Sequence, residues 1–199
     1  NQVEAKVLLP GGALFIESDK LIYNFYDQRS FSEAHNNYTL ETLNAHAYKV
    51  EYLNSNKNSE FSLKNPDRYY ENYYKGVKKK WASRVQLYKY YQKNIYEGVD
   101  VFMRIENDNL KYDYIVAPHA NPKEIIYEYK GVNSIFLDQG KLYVKTSVNT
   151  VVEKAPYAYQ IIDGEKTQVT CNYHLKKQKI SYVFPDGYNS NYELIIDPT

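Results

Sequence analysis

The amino-acid sequence predicts an all-β fold: an antiparallel β-sandwich, one large or two tightly packed, with very little helix. Apolar and polar residues alternate with a period of two along most of the chain, the pattern of half-buried strands. Short clusters of Gly, Asp, Asn and Pro interrupt these runs as tight turns would. The third observation is the lack of a sustained apolar stripe at helical spacing.

From the N-terminus, Pro10-Gly11-Gly12 turns the backbone between the first two extended segments, and 13–17 and 21–26 alternate as strands. Segment 30–43 contains Asn36-Asn37 and no apolar face, so a loop is expected there, with at most one turn of helix. In 45–53, His46, Tyr48, Val50 and Tyr52 share one face, while Ala47, Lys49 and Glu51 share the other. A polar loop, 54–67, then separates an N-terminal part, 1–53, from a longer part, 68–199. The whole of 1–199 is expected to be a single compact unit, with that loop as its possible subdivision. The aromatic cluster Tyr69, Tyr70, Tyr73, Tyr74 and Trp81 follows and is expected to seal one face or end of the sandwich. Further strands are predicted at 85–92, 99–105, 110–116, 125–129, 142–146, 150–153, 158–162, 168–175, 179–184 and 192–196. Asn107-Asp108-Asn109, Asp138-Gln139-Gly140, Asp163-Gly164 and Asp186-Gly187 supply turns between them. A dozen or more short strands joined this way favour antiparallel meanders packed as a sandwich. No internal repeat of fixed period is visible, which disfavours a solenoid or propeller within the chain.

Composition narrows the functional classes. The chain has 199 residues, with 25 Lys and Arg against 24 Asp and Glu, a formal charge of +1. That balance gives no electrostatic case for nucleic acid or an anionic membrane. Mean hydropathy is -0.68, and no apolar run approaches the roughly 20 residues of a spanning helix, so membrane insertion is not expected. Tyr is abundant, 24 residues against 7 Phe and 1 Trp. Because Lys outnumbers Arg 21 to 4 and there are 19 Asn, the bias fits an AT-rich genome, with many Tyr serving as core or strand residues that carry a hydroxyl. Cys171 is the single thiol, so the core must hold the fold without an internal disulfide. The chain lacks the pattern of a signal peptide and starts and ends abruptly, so a mature fragment or excised domain is expected.

Chemistry-bearing motifs are sparse. There is no HExxH, CxxC, GxSxG or P-loop lysine, and His35, His46, His119 and His174 lie far apart in sequence. His46 alternates with apolar neighbours, which predicts a buried, hydrogen-bonded imidazole. Paired carboxylates would be the signature of a β-sandwich glycosidase. Asp100 and Asp113 are the pair to inspect, because a hairpin between their strands could bring them to one face, but acids alternating with Lys usually set register or solubility. Asp186, Asn189, Asn191 and Glu193 offer oxygen ligands for calcium in a short loop, at a spacing that misses the EF-hand. Lys78-Lys79-Lys80 before Trp81 is read as a solvated turn, and Asn37-Tyr38-Thr39 as a chance glycosylation triplet. On these grounds the chain is expected not to be an enzyme and to need no cofactor or metal.

Several segments carry a family resemblance: Pro10-Gly11-Gly12-Ala13-Leu14-Phe15-Ile16-Glu17, His46-Ala47-Tyr48, Trp81-Ala82-Ser83, 110–118 with Lys111-Tyr112-Asp113-Tyr114 at its centre, Ala155-Pro156-Tyr157-Ala158-Tyr159-Gln160, and the closing Ile196-Asp197-Pro198-Thr199. In this order and spacing they resemble the N-terminal domain of large bacterial surface proteins. In that family the domain precedes SBBP-type β-propeller repeats, and a type IX secretion or gliding-motility-associated C-terminal domain often follows. The resemblance runs nearly end to end, although the polar opening segment is cut to Asn1-Gln2 and the repeats are absent. It implies an extracellular or outer-surface location on a Gram-negative bacterium, with adjacent repeat domains of the same polypeptide as partners, and a glycan or another surface protein as further candidates. The expected role is a noncatalytic structural module. The alternative is a carbohydrate-binding module in which Tyr69, Tyr70, Tyr73, Tyr74 and Trp81 stack on sugar faces.

Overall fold

In a computed structural model, the alternation of the sequence becomes an alternation of burial: along 45–52, Tyr48, Val50 and Tyr52 are buried while Ala47 is exposed and Lys49 and Glu51 are only half-buried. The structure describes residues 3–27, 29, 42–66, 70–74, 77–78, 81–86, 88–106 and 109–198. The side chains of Tyr70, Glu71, Tyr73, Val85 and Gln86 lie outside that description.

The strands are, in chain order, β1 (Ala5–Leu9), β2 (Gly12–Glu17), β3 (Lys20–Tyr26), β4 (Ala45–Tyr52), β5 (Glu60–Lys64), β6 (Tyr70–Tyr73) and β7 (Ala82–Gln86). Next come β8 (Lys89–Tyr96), β9 (Val99–Glu106), β10 (Asn109–Val116), β11 (Tyr127–Lys130), β12 (Ser134–Asp138) and β13 (Lys141–Lys145). The last are β14 (Thr150–Glu153), β15 (Tyr157–Ile162), β16 (Glu165–Val169), β17 (Asn172–Lys176), β18 (Lys179–Val183) and β19 (Leu194–Asp197). One seven-stranded sheet has the order β1-β2-β3-β4-β11-β18-β17 and the other β16-β15-β19-β10-β9-β8-β5. A three-stranded sheet, β12-β13-β14, and the β6-β7 hairpin complete the topology. The chain is thus nearly all β, with antiparallel sheets packed together as a sandwich.

Tyrosines fill the space between the large sheets. Tyr114 on β10 lies 5.8 Å from Tyr182 on β18 and 6.5 Å from Tyr127 on β11, measured between ring centroids, so these rings join one sheet to the other. Tyr23, Tyr48, Tyr52, Tyr112, Tyr129 and Tyr173 are also buried, which agrees with tyrosine acting as a core residue here. Leu142 and Val144 of β13 are buried in the same core, and Ile135 and Val151 pack against it from β12 and β14. The pairing of β4 with β11 carries one sheet across loop 54–67.

Of the turns predicted among the later strands, two are hairpins with the expected backbones, whereas Asp186-Gly187 leads from β18 to β19 in the opposite sheet and Asn107-Asp108 lies outside the described residues. Asp163 and Gly164 take φ of 52° and 86° between Ile162 and Glu165, and Gln139 and Gly140 take 48° and 76° between Asp138 and Lys141. Gly12 is required for another reason: a Cβ there would lie 2.1 Å from the Asn24 carbonyl oxygen across the β2-β3 ladder.

Several expectations need correction. Loop 54–67 contains β5, an edge strand whose side chains are mostly exposed and therefore read as loop. Run 85–92 is two strands, with β7 paired to β6 and β8 in a large sheet. Run 168–175 also breaks, because β16 and β17 belong to opposite sheets. Val169, Cys171 and Tyr173 stay buried across that corner, so the period of two persists where the strand does not. Cys171 consequently sits between strands and not within one. Ile125 caps a 3-10 turn, Pro122–Glu124, whose start is held by Asn121 Oδ1 accepting from the Lys123 N–H at 3.2 Å. Strands β6 and β12 were not anticipated. Segment 30–41, expected as loop, lies outside the described residues.

Candidate functional site

The aromatic cluster lies on and around the β6-β7 hairpin, whose register shifts between Glu71 and Tyr73. Tyr69 and the side chains of Tyr70 and Tyr73 lie outside the described residues. Tyr74 and Trp81 are 60% and 45% exposed, so these two rings do not seal the sandwich. They meet edge to face at 71°, with centroids 5.3 Å apart, and so do not form a coplanar platform.

Strands β9 and β10 bring Asp100 and Asp113 to the same outward face, with Asp100 opposite Ile115 and Asp113 opposite Phe102. Each is already engaged. Asp100 accepts from the Asn94 N–H at 2.6 Å and from the Tyr91 hydroxyl. Arg104 donates from Nη1 to Asp113 at 2.6 Å and from Nε to Glu106 at 2.6 Å. Burial raises the Asp113 carboxyl above its ordinary value, while Arg104 opposes the shift.

His46 is half-buried rather than buried, with partners on both nitrogens. Its Nε2 lies 2.7 Å from the Gly131 carbonyl, which can only accept, so Nε2 carries the proton; Nδ1 then accepts from the Ser147 N–H at 3.2 Å. These bonds tie β4 to the β13-β14 turn and to the connection between β11 and β12. His119 and His174 are exposed, and His35 lies outside the described residues. Among the described residues no group of three or more His, Cys, Asp or Glu is placed to hold a metal ion. The loop carrying Asp186, Asn189, Asn191 and Glu193 is organised by buried Gln160. Its Nε2 donates to the Asn189 and Tyr192 carbonyls at 2.8 and 3.1 Å, and its Oε1 accepts from the Asn189 N–H at 2.9 Å.

The most concentrated polar chemistry is a cluster that sequence reasoning missed. Glu153, at the end of β14, sends its carboxylate into the tyrosine layer. Tyr129 on β11 donates to Oε1 at 2.5 Å, and Tyr112 on β10 donates to Oε2 at 2.9 Å. The Tyr173 hydroxyl on β17 lies 3.3 Å from Oε2 but 2.9 Å from the Pro198 carbonyl, so its single proton favours Pro198. Nearby, the Tyr127 and Tyr182 hydroxyls pair at 3.1 Å. Burial pushes the Glu153 carboxyl above its ordinary range, and the tyrosine hydrogen bonds pull it partly back. A sequence signal existed: Val151 and Glu153 share a strand face, and Glu153 stands opposite Leu142, so an acid interrupts an apolar row.

A family model matches residues 1–199, the full length of the chain. The chain belongs to DUF7948, a domain of unknown function. Neither a curated protein nor a solved structure matches it. No helix among the described residues of the DUF7948 domain is long and apolar enough to cross a membrane. A surface hollow of about 380 Å3 lies beside the 3-10 turn, lined in part by Lys123, Ile126, Ser181 and Phe184.

Proposed function

We propose that this DUF7948 domain is a noncatalytic structural and interaction module at the N-terminus of a secreted or surface-attached bacterial protein, where it precedes and positions β-propeller-type repeats. The observation that carries this reading is the Glu153 cluster. One carboxylate on the three-stranded sheet bonds to tyrosines of both large sheets, so the layers are coupled as a positioning block requires. The engagement of Asp100 and Asp113 by neighbouring residues adds support, since a glycosidase needs its two acids free to meet a substrate. The partners in this reading are the adjacent repeats of the same polypeptide, and the location is the outer surface of a Gram-negative cell.

The exposure of Tyr74 and Trp81 favours a second reading, a carbohydrate-binding module. A glycan-array screen, run beside a melting comparison of the 199-residue chain with its full-length gene product, tests both. The structural reading expects no glycan retained and a higher Tm in the full-length protein. Glycan binding that disappears in Trp81→Ala would overturn it in favour of the second.

A further inference from the structure

Between the large sheets lies an internal cavity of about 10 Å3. Leu21 and Val50 line its apolar part, and Tyr23, Tyr52, Tyr112, Tyr129 and Glu153 are among its polar neighbours. The Tyr52 hydroxyl is buried there, on a residue only 5% exposed; the Tyr114 hydroxyl approaches it as a donor, and its own proton finds no acceptor within the protein. A buried hydroxyl left in that condition is costly, and buried polar groups are almost always paired with protein or with ordered water. Glu153 has spare capacity on the same cavity. An ionised carboxylate offers about four acceptor positions, and Oε1 receives only Tyr129 while Oε2 faces Tyr112 and Tyr173.

Size and chemistry agree on the occupant. The volume is at the lower limit for holding one water molecule and is too small for any organic ligand. Cavities of purely apolar lining stay dry, whereas this one brings an unpaired donor and a carboxylate together. We propose that this cavity is a binding site for one ordered water molecule, which accepts from the Tyr52 hydroxyl and donates to the free position on Glu153 Oε1. The water completes the polar cluster that joins the three sheets and makes Tyr52 a member of it.

Oxygen-17 magnetic relaxation dispersion, which counts long-lived internal waters, tests the site by comparing the wild-type chain with Tyr52→Phe. The expected result is one fewer long-lived water in the variant, with a lowered Tm. An unchanged water count overturns the proposal, because deleting a hydroxyl from a dry cavity removes no water. Should Tyr52→Phe fail to fold, Val50→Ile gives the same reading: its added methyl group occupies the cavity and should also remove one long-lived water. An unchanged count in that variant overturns the proposal equally.

Discussion

Tyr129 Oη donates to Glu153 Oε1 at 2.5 Å, coupling β11 of a large sheet to β14 of the three-stranded sheet. Tyr112 makes the matching bond from the opposite large sheet. Replacing Glu153 by Ala leaves both hydroxyls buried without their acceptor, and each such loss costs about 1–3 kcal/mol. Glu153→Ala should therefore destabilise the fold by about 2–4 kcal/mol, read as a lower midpoint in urea. A midpoint equal to wild type would show that the cluster does not hold the sheets together.

The same carboxyl gives stability a dependence on pH. Burial raises it above its ordinary value of 4.5 in the folded chain, so the native state binds that proton more tightly than the unfolded state. Its contribution is fully present below about pH 4.5 and is lost as pH rises through the raised native value. Glu153→Gln has no proton to lose. The stability difference between the two proteins should move in favour of Glu153→Gln as pH rises from about 4 to about 8, whatever fixed offset the amide introduces. Parallel urea curves across that range would contradict the assignment.

Local and distant information differ in how far the sequence exposes them. Tyr48, Val50 and Tyr52 were legible as one buried face because strand periodicity is a property of neighbouring residues. The turn at Asp163-Gly164 was legible because positive φ selects its residues locally. Glu153 was not, because its partners Tyr112, Tyr129 and Tyr173 come from three other strands, and nothing local to β14 names them. Strand β5 was missed for a related reason: at a sheet edge Phe61 and Leu63 remain exposed, so burial had left no clear pattern in its composition.

Val50 is 4% exposed on that legible face. Val50→Asp would place an unpaired carboxylate among Leu21, Tyr52 and Tyr127, neighbours on the same cavity wall, and should cost about 3 kcal/mol or more. Thermal melting is sufficient to read it. Wild-type stability would mean that the two faces of β4 are reversed.

Gly12 tests the close approach of β2 to β3. Its neighbours leave no room for a methyl group, since the Asn24 carbonyl oxygen and Phe25 Cδ1 would lie 2.1 and 2.8 Å from an added Cβ. The nearer atom is backbone and cannot rotate away, so the ladder itself must shift. Gly12→Ala should destabilise by about 1–3 kcal/mol, with the largest loss of amide protection along β2 and β3 in hydrogen exchange.

Cys171 offers a readout of how far the corner between β16 and β17 opens. Burial pushes its thiol up to about 12, and the residue is 7% exposed. Near pH 8 the thiolate, which is the reactive form, is then only about 10⁻⁴ of the population. Under native conditions an aromatic disulfide reagent should leave the chain unmodified, and in urea it should titrate one thiol per chain. Because the reagent needs both access and ionisation, the native labelling rate should rise with urea in step with unfolding, and variants that weaken the core, such as Val50→Asp, should label faster than wild type. Fast labelling of the wild type in the absence of urea would mean that the corner opens without the rest of the sandwich, and that Cys171 is closed off less firmly than its burial indicates.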